Sequence, residues 1–162
     1  MPDYIELHQG RIAMVPAPGN TGNCANSDLH ALTTWGATIL VTLVESHELA
    51  MLGLSHLEQR AQEAGLRWHH LPIRNMSTPT AQWLATWRSL SPRLHEALKQ
   101  ENSIAIHCWA GLGRTGLVSA MLLMEGGYSA TRAIAQVRQA RPGTIETQEQ
   151  EQFVRRYTGV TG

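Results

Sequence analysis

The sequence predicts an α/β fold in which helices cover a parallel β-sheet. Apolar, β-branched stretches alternate along the chain with segments that carry apolar residues at helical spacing. The stretch ATILVTLV at 37–44 is apolar on both faces, as a buried parallel strand is, and SIAIH at 103–107 is a further predicted strand. The chain has 162 residues, no internal repeat and no linker, so we expect a single domain over residues 1–162.

The first part of the chain should form a strand, a helix and a second strand. Residues 11–15 favour a short strand that runs into a Pro/Gly turn, which suits a hairpin at a sheet edge. Residues 26–35 carry polar capping residues ahead of apolar positions, and Gly36 ends this predicted helix. The buried strand 37–44 follows.

The next segment predicts a helix over 55–64 and another strand. Ser55 and Glu58 have the spacing of a capping box at the start of this helix, and Gly65 ends it. The stretch LRWHHLPI then favours a strand that Pro72 ends.

A long helical pattern and the third strand come next. Tryptophan and leucine recur at helical spacing over 80–100, where Pro92 predicts a kink or a split into two helices. Residues 103–107 form the strand, and the helix predicted for 114–125 is apolar almost all round, so it should be buried in the middle of the fold.

Two more helices complete the predicted elements. The first covers 129–141. The second begins after RPGTIE, with Thr147 as its N-cap and Gln150 three residues on, the spacing of a capping box.

Charge and hydropathy argue against two classes of partner. Lysine plus arginine number 13 and aspartate plus glutamate also 13, so no net field attracts nucleic acid or an anionic membrane. The longest apolar stretches fall well short of the ~20 residues of a membrane span. We expect neither nucleic acid nor membrane as a partner.

The cysteines and the N-terminus predict a cytoplasmic protein. Only Cys24 and Cys108 are present, too few for a disulfide framework and more typical of a reducing compartment. The N-terminal stretch MPDYIELHQG lacks the basic and apolar regions of a secretory signal. Simple packing is the favoured use of Cys24, and a disulfide or redox role with Cys108 is the alternative.

The stretch HCWAGLGRTG, residues 107–116, carries the chemistry. It lies where a buried strand meets a buried helix, the end of a parallel sheet at which ligands bind. Its amides have no strand partner, and Gly111 and Gly113 allow them to turn inward around an oxyanion. Arg114 can grip two phosphate oxygens, and the thiolate of Cys108 beneath them would be a nucleophile.

Two other interpretations of these residue types are weaker. Cys108 could be a small core residue and the glycines a tight turn, but the C-x5-R-T spacing favours the anion site.

His69 and His70 are adjacent on a strand and face opposite sides, and no histidine spacing matches a metal site. We therefore expect neither a metal nor another cofactor.

The sequence resembles the protein tyrosine phosphatase superfamily at these positions. His107, Cys108, Arg114 and Thr115 match its signature H-C-x5-R-[S/T]. The loop is most similar to the cyclin-dependent kinase-associated phosphatase branch of the dual-specificity phosphatases, and HHLPIRNMSTP and GTIETQEQEQF resemble that branch's general-acid and glutamine-bearing segments. The resemblance implies a three-layer sandwich with a mostly parallel central sheet flanked by helices, the cysteine-dependent phosphatase fold.

The resemblance also implies the roles of the site residues. Cys108 would attack phosphorus to give a phosphocysteine, Arg114 would hold the transition state, and Thr115 would ease departure of the thiolate. Gln150 corresponds to a glutamine that positions the hydrolytic water, although its capping use is supported equally. The implied phosphate-binding loop comprises His107, Trp109, Ala110, Gly111, Leu112 and Gly113.

One residue departs from the family pattern. The general acid of the family is an aspartate, and Asn75 stands at that position, where it can donate a hydrogen bond but no acidic proton. General acid catalysis contributes about 10²–10⁴ in rate, and a phenol, with its pKa of ~10, needs it less than an alcohol does. Three origins stay open: an engineered trapping substitution, a natural phosphoprotein reader, or an acid relocated to Glu45 or Glu48.

These observations predict a cysteine-dependent protein phosphatase. It would act on phosphotyrosine, with phosphoserine and phosphothreonine as further candidates, and would take a phosphorylated protein or aryl phosphate as substrate and phosphate, sulfate or vanadate as site anions. The alternative is a catalytically impaired phosphatase fold that captures phosphorylated partners. A sulfurtransferase or arsenate reductase is disfavoured, because the resolving cysteines and N-terminal loop of arsenate reductases are missing.

Overall fold

A five-stranded sheet forms the centre of the computed structural model, which describes residues 1–159. The strands are β1 (Asp3–Leu7), β2 (Gly10–Val15), β3 (Ala37–Thr42), β4 (Arg67–His70) and β5 (Ser103–His107). Their order across the sheet is β1-β2-β5-β3-β4. Only the pairing of β1 with β2 is antiparallel in this part of the chain, so the predicted mostly parallel sheet is confirmed.

Seven helices within the described residues flank this sheet. They are α1 (Ala25–Trp35), α2 (Ser46–Met51), α3 (Leu57–Glu63), α4 (Ala81–Lys99), α5 (Gly113–Glu125), α6 (Ala130–Ala140) and α7 (Gln148–Arg156). Helix α5 packs on β2 and β5 and contacts α6 and α7, while α4 packs on the same two strands. None of these helices is both long and apolar enough to cross a bilayer.

The first strand was not predicted from the sequence. β1 pairs with β2 from Asp3↔Met14 to Leu7↔Gly10, so β2 forms a hairpin with the strand before it and not across the Pro/Gly turn that follows residue 15, and β1 is the edge strand. Only Ile5 and Leu7 of β1 are buried. Because an edge strand buries so few side chains, its pattern carries little signal.

The region after β3 also differs from the prediction. The short helix α2 was not predicted, and the capping box expected at Ser55 and Glu58 is absent, since α3 begins at Leu57 with no side-chain cap. Leu54 and Leu57 are both buried, and Leu57 donates its N–H to the carbonyl of Leu54. Packing of these leucines, rather than capping, therefore fixes the start of the helix.

Pro92 does not divide the long helix. α4 runs from Ala81 to Lys99 with Pro92 inside it, so of the two predicted effects of Pro92 the split is wrong, and the kink stays a prediction. One face of α4 buries a row of apolar side chains, Trp83, Trp87, Leu90, Leu94 and Leu98. This burial is worth more than the hydrogen bond that proline lacks.

The final elements match the prediction and position the site. All residues of α5 from Gly113 to Leu123 are buried, as its apolar pattern indicates. Helix α7 begins with the predicted capping box, in which the Thr147 hydroxyl accepts from the N–H of Gln150 at 3.0 Å. β5 ends at His107, so residues 108–112 connect the central strand to the buried helix.

Candidate active site

Cys108 lies at the base of the loop between β5 and α5. Only 3% of its surface is exposed, because it follows a fully buried strand and precedes a buried helix. The Thr115 hydroxyl, in the first turn of α5, donates a hydrogen bond to the Cys108 sulfur at 3.1 Å. A hydroxyl donor at this distance stabilises negative charge on the sulfur.

The carbonyl groups of this loop point toward the surrounding protein. The Trp109 carbonyl accepts from the Ala17 N–H at 3.0 Å and from the Asn20 side chain at 3.2 Å. Arg141 donates to the Gly111 carbonyl through Nε at 2.8 Å and to the Ala110 carbonyl through Nη2 at 2.9 Å. In a trans peptide the next N–H points the opposite way, so the N–H groups of residues 110–112 face away from these partners.

Those N–H groups are available to a ligand. Within residues 1–159, the N–H groups of 109–112 donate to no protein acceptor. Several adjacent unpaired amides at the start of a buried helix form an anion-binding nest. The structure therefore leaves these loop N–H groups unpaired, and their use as an anion site stays a prediction.

Gly111 is required by this backbone path. Its φ is +76°, and a Cβ at this position would lie 2.4 Å from the backbone carbon and oxygen of Val15. A side chain would clash with the end of β2 and strain the backbone at once. Gly113 is different, because a Cβ there would meet side-chain atoms of Glu146 and Gln150.

Arg114 is buried, and both carboxylate oxygens of Glu48 accept hydrogen bonds from one edge of its guanidinium group. Its Nη1 donates to Glu48 Oε2 at 2.7 Å and its Nη2 to Glu48 Oε1 at 2.8 Å. Nη1 also donates to the carbonyl of Ile73 at 2.9 Å, and Nη2 to Asn75 Oδ1 at 3.2 Å. Burial alone would lower the pKa of Arg114, but the contacts with Glu48 and the nearby Cys108 sulfur outweigh it and raise the pKa.

The same contact decides the state of Glu48. Burial pushes the pKa of this carboxyl upward, but hydrogen bonds from Arg114 and from the Glu45 N–H hold it below its ordinary value. Glu48 is therefore ionised near neutral pH and has no proton to give. Of the two positions considered for a relocated acid, the structure argues against this one.

His107 is held neutral by a chain of hydrogen bonds. Burial lowers its pKa to about 4, and its Nδ1 lies 2.9 Å from the Cys108 carbonyl oxygen, so Nδ1 carries the proton. Nε2 then accepts from the Thr42 hydroxyl at 2.7 Å, and that oxygen accepts from Trp68 Nε1 at 2.8 Å. This network fixes the backbone at the cysteine.

The segments that the sequence placed around the loop do meet it. Asn75 contacts Arg114, as described, and Gln150 is fully buried beside Gly113. The Gln150 amide oxygen accepts from the N–H groups of Glu146 and Thr147 at 3.0 and 3.1 Å, and its nitrogen donates to the Ser77 carbonyl at 3.2 Å. The capping use of Gln150 is thus present.

Comparison with known proteins identifies the family. The family model described as "Polymorphic toxin system, DSP-PTPase phosphatase" matches residues 15–128. This chain belongs to the dual-specificity protein tyrosine phosphatase family. Among curated relatives of the phosphatase chain, a probable protein tyrosine phosphatase type IVA A of Dictyostelium discoideum is 30% identical over 122 residues, which cover 68% of this chain and 71% of the relative.

Other similar proteins agree with this membership. Human cyclin-dependent kinase inhibitor 3 is 29% identical over 80% of the phosphatase chain, and the match spans 61% of that protein. Tk-PTP in its active form superimposes with a TM-score of 0.71 at 27% identity, covering 93% of this chain and 92% of that one. Kinase associated phosphatase with its catalytic cysteine replaced by serine shares the fold, with a TM-score of 0.79 at 24% identity over 95% and 93% of the two chains.

Two residues of the candidate site were missed from the sequence. Arg141 holds the loop carbonyls and pairs with Asp3 at 2.8 Å, and Glu146 Oε1 accepts from the Gly113 N–H at 2.9 Å. Both flank the Pro-Gly turn of RPGTIE, after which α7 was placed, and Glu146 lies within GTIETQEQEQF, the stretch that resembles the glutamine-bearing segment. That resemblance is the one signal that points toward the site.

Cys24 departs from its prediction. It is exposed rather than packed, and it lies at the N-cap of α1 with its sulfur 3.1 Å from the Ser27 hydroxyl oxygen. Hydrogen bonds from Ser27 lower the pKa of its thiol. Neither cysteine of the phosphatase chain forms a disulfide.

One group of potential metal ligands lies beside the site. Glu45, His47 and Glu48 each bring a ligand atom within 4.8 Å of the others, a grouping that histidine spacing alone did not indicate. Both oxygens of Glu48 already accept hydrogen bonds from Arg114. Arg114 therefore neutralises Glu48, which is the most buried of the three residues.

Proposed function

We propose that this chain is a cysteine-dependent protein phosphatase that hydrolyses phosphotyrosine through a phosphocysteine intermediate. The observation that carries the proposal is the placement of the Cys108 sulfur beneath unpaired loop amides and next to the buried Arg114 guanidinium. A phosphate dianion bound there would receive backbone donors and a bidentate cation at the same time. Phosphoserine and phosphothreonine are secondary substrates in this proposal.

The first chemical step is transfer of the phosphoryl group to sulfur. The Cys108 thiolate forms the S–P bond as the P–O bond to the aryl group breaks, and the phenolate takes the bonding pair. Arg114 and the loop amides balance the charge on the three equatorial oxygens. Asn75 supplies no acidic proton, so a leaving group of pKa ~10 departs more readily than an alkoxide.

The second step regenerates the enzyme. Water attacks the phosphorus of the phosphocysteine, and the electron pair of the S–P bond returns to Cys108 as a thiolate. Both protons of the water stay on the product, which leaves as dihydrogen phosphate and gives up a proton to the phenolate or to solvent. The Thr115 hydroxyl, 3.1 Å from the sulfur, stabilises the thiolate as it departs. Gln150, buried next to Gly113, is the proposed residue that orients the water.

A second candidate function follows from Asn75. A fold that binds phosphate but lacks the acid would hold phosphorylated partners without releasing product efficiently. Release of phosphate from an aryl phosphate at mildly acidic pH separates the two, with Cys108→Ser as the matched control. We expect turnover in the parent that the control abolishes. Absence of turnover together with binding of a phosphotyrosine peptide would instead establish the reader.

A further inference from the structure

We propose that the Asn75 side chain occupies one arm of the phosphate-binding edge of Arg114 when no anion is bound, so that phosphate must displace it. Asn75 is then a specificity-determining residue: it sets how tightly the site binds an anion at Arg114 and which anions it binds. The inference rests on the proposed function, because it requires Arg114 to bind phosphate.

The guanidinium group has two edges that can grip an oxyanion. One is formed by Nη1 and Nη2, and the other by Nε and Nη2. Glu48 takes the first edge, with both oxygens within 2.8 Å of the two terminal nitrogens. The second N–H of Nη1 donates to the Ile73 carbonyl, so only the edge formed by Nε and Nη2 is left for a phosphate.

Asn75 lies on that remaining edge. Its Oδ1 is 3.2 Å from Nη2 of Arg114, and the other three N–H groups of the terminal nitrogens donate to the two Glu48 oxygens and the Ile73 carbonyl. The Nε–H donates to no protein oxygen within residues 1–159. One arm of the edge thus meets no oxygen acceptor, with the Cys108 sulfur close to the guanidinium group, and the other arm is covered by the asparagine amide oxygen, which stands where a phosphate oxygen would accept.

The loop backbone is held independently of this contact. Ser77 donates its N–H to the Arg74 carbonyl at 3.0 Å, and its own carbonyl accepts from Gln150 at 3.2 Å. Met76, between them, has a φ of +62°, which a methionine adopts only when its surroundings impose it. Asn75 itself is exposed, so its side chain can rotate away while the loop stays in place.

The exchange favours an anion with two acceptor oxygens. Displacing Asn75 breaks one long hydrogen bond from a cation to a neutral amide. A phosphate replaces it with two charge-assisted bonds to Nε and Nη2 and adds the loop amides. Removal of Asn75 should therefore tighten phosphate binding, and a carboxylate at the same position should weaken it.

The test is titration of the full chain with inorganic phosphate by calorimetry at neutral pH. We expect Asn75→Ala to lower the Kd about 3- to 10-fold, the gain from losing one competing hydrogen bond. Asn75→Asp should raise the Kd about tenfold, because an ionised carboxylate holds Nη2 more strongly. Asn102→Ala, at the opposite end of β5, is the matched control and should leave the Kd unchanged.

Kinetics with an aryl phosphate give a second readout. Asn75→Ala should lower KM with kcat little changed, a split that a merely structural effect would not produce. An Asn75→Ala variant whose Kd and KM equal those of a parent that does bind phosphate would overturn the inference alone. Failure of the parent and every variant to bind phosphate or turn over substrate would remove the proposed function and this inference with it.

Discussion

Arg141 lies behind the loop of residues 108–112 and donates its Nε–H to the carbonyl oxygen of Gly111 at 2.8 Å. Its Nη2 holds the carbonyl of Ala110 in the same way at 2.9 Å. The Arg141 cation thereby polarises two peptide groups of the loop. Their N–H ends, at Gly111 and Leu112, are among the unpaired loop N–H groups. Asp3 of β1 accepts a third hydrogen bond and balances the charge.

Arg141→Ala should reduce kcat/KM for an aryl phosphate about 10- to 100-fold, as loss of a residue that orients a site does. The carbonyls of Ala110 and Gly111 would then hydrogen-bond to water and lose their fixed orientation. The N–H groups of the same peptides would no longer converge on one anion. Steady-state kinetics check this, with Arg155→Ala as control, because within residues 1–159 Arg155 bonds only to Glu151 and Thr131 on the surface. Equal kcat/KM in parent and Arg141→Ala would refute the role of Arg141.

Glu48→Gln should destabilise the protein, because it leaves the buried Arg114 cation without its counter-ion. The side chains of the pair are 2% and 6% exposed, and breaking a buried pair costs about 3–5 kcal/mol. We expect the free energy of unfolding, measured in urea, to fall by about 3 kcal/mol. Glu58→Gln, an exposed change in α3, should have little effect, and a similar loss in both variants would contradict the argument.

His107 should make the stability depend on pH. Its pKa falls to about 4 in the folded protein from 6.5, so the unfolded chain binds more protons between these values. The contribution of neutral His107 to the free energy of unfolding is present in full above pH ~6.5. It is lost as the pH falls toward ~4, by up to about 3 kcal/mol. His107→Asn should flatten the unfolding free energy over that range, and a His107 imidazole that titrates near its ordinary value by NMR would contradict this.

Gly111→Ala should abolish anion binding. The new Cβ would meet the Val15 backbone at 2.4 Å, so the loop must move out of its path. Gly53→Ala is the matched control, because Gly53 also has a positive φ, +71°, but a Cβ added there would have nothing within 4 Å of it. Phosphate titration should show loss of binding in the first variant only, and retained binding in Gly111→Ala would disprove the steric argument.

Local patterns predicted the parts of the fold in which neighbours in sequence decide the structure. The strand at 103–107, the buried helix after it and the Thr147 capping box depend on periodicity and short spacings. The partners of the loop are set by tertiary contacts that no short spacing encodes. Glu48 and Arg114 are 66 positions apart, and their pairing depends on β3 lying next to β5 in the sheet.

The difference between local patterns and tertiary contacts also explains the elements and residues that the sequence did not predict correctly. α2 has six residues and β1 has five, so neither contains enough periods to stand out from a loop. Pro92 is a strong helix breaker in isolation, yet the apolar face of α4 overrides it. Cys24 is small and apolar, so composition favours burial, but its place at the helix cap leaves it exposed.

The most direct test of the site is to find where the phosphoryl group goes. The protein is mixed with an aryl phosphate carrying labelled phosphorus, quenched in acid within one turnover, and digested for mass spectrometry. Phosphorus bound to the sulfur of Cys108, and its absence in Cys108→Ser, is the predicted result. Release of phosphate with the label on another residue, or undiminished in Cys108→Ser, would contradict the account.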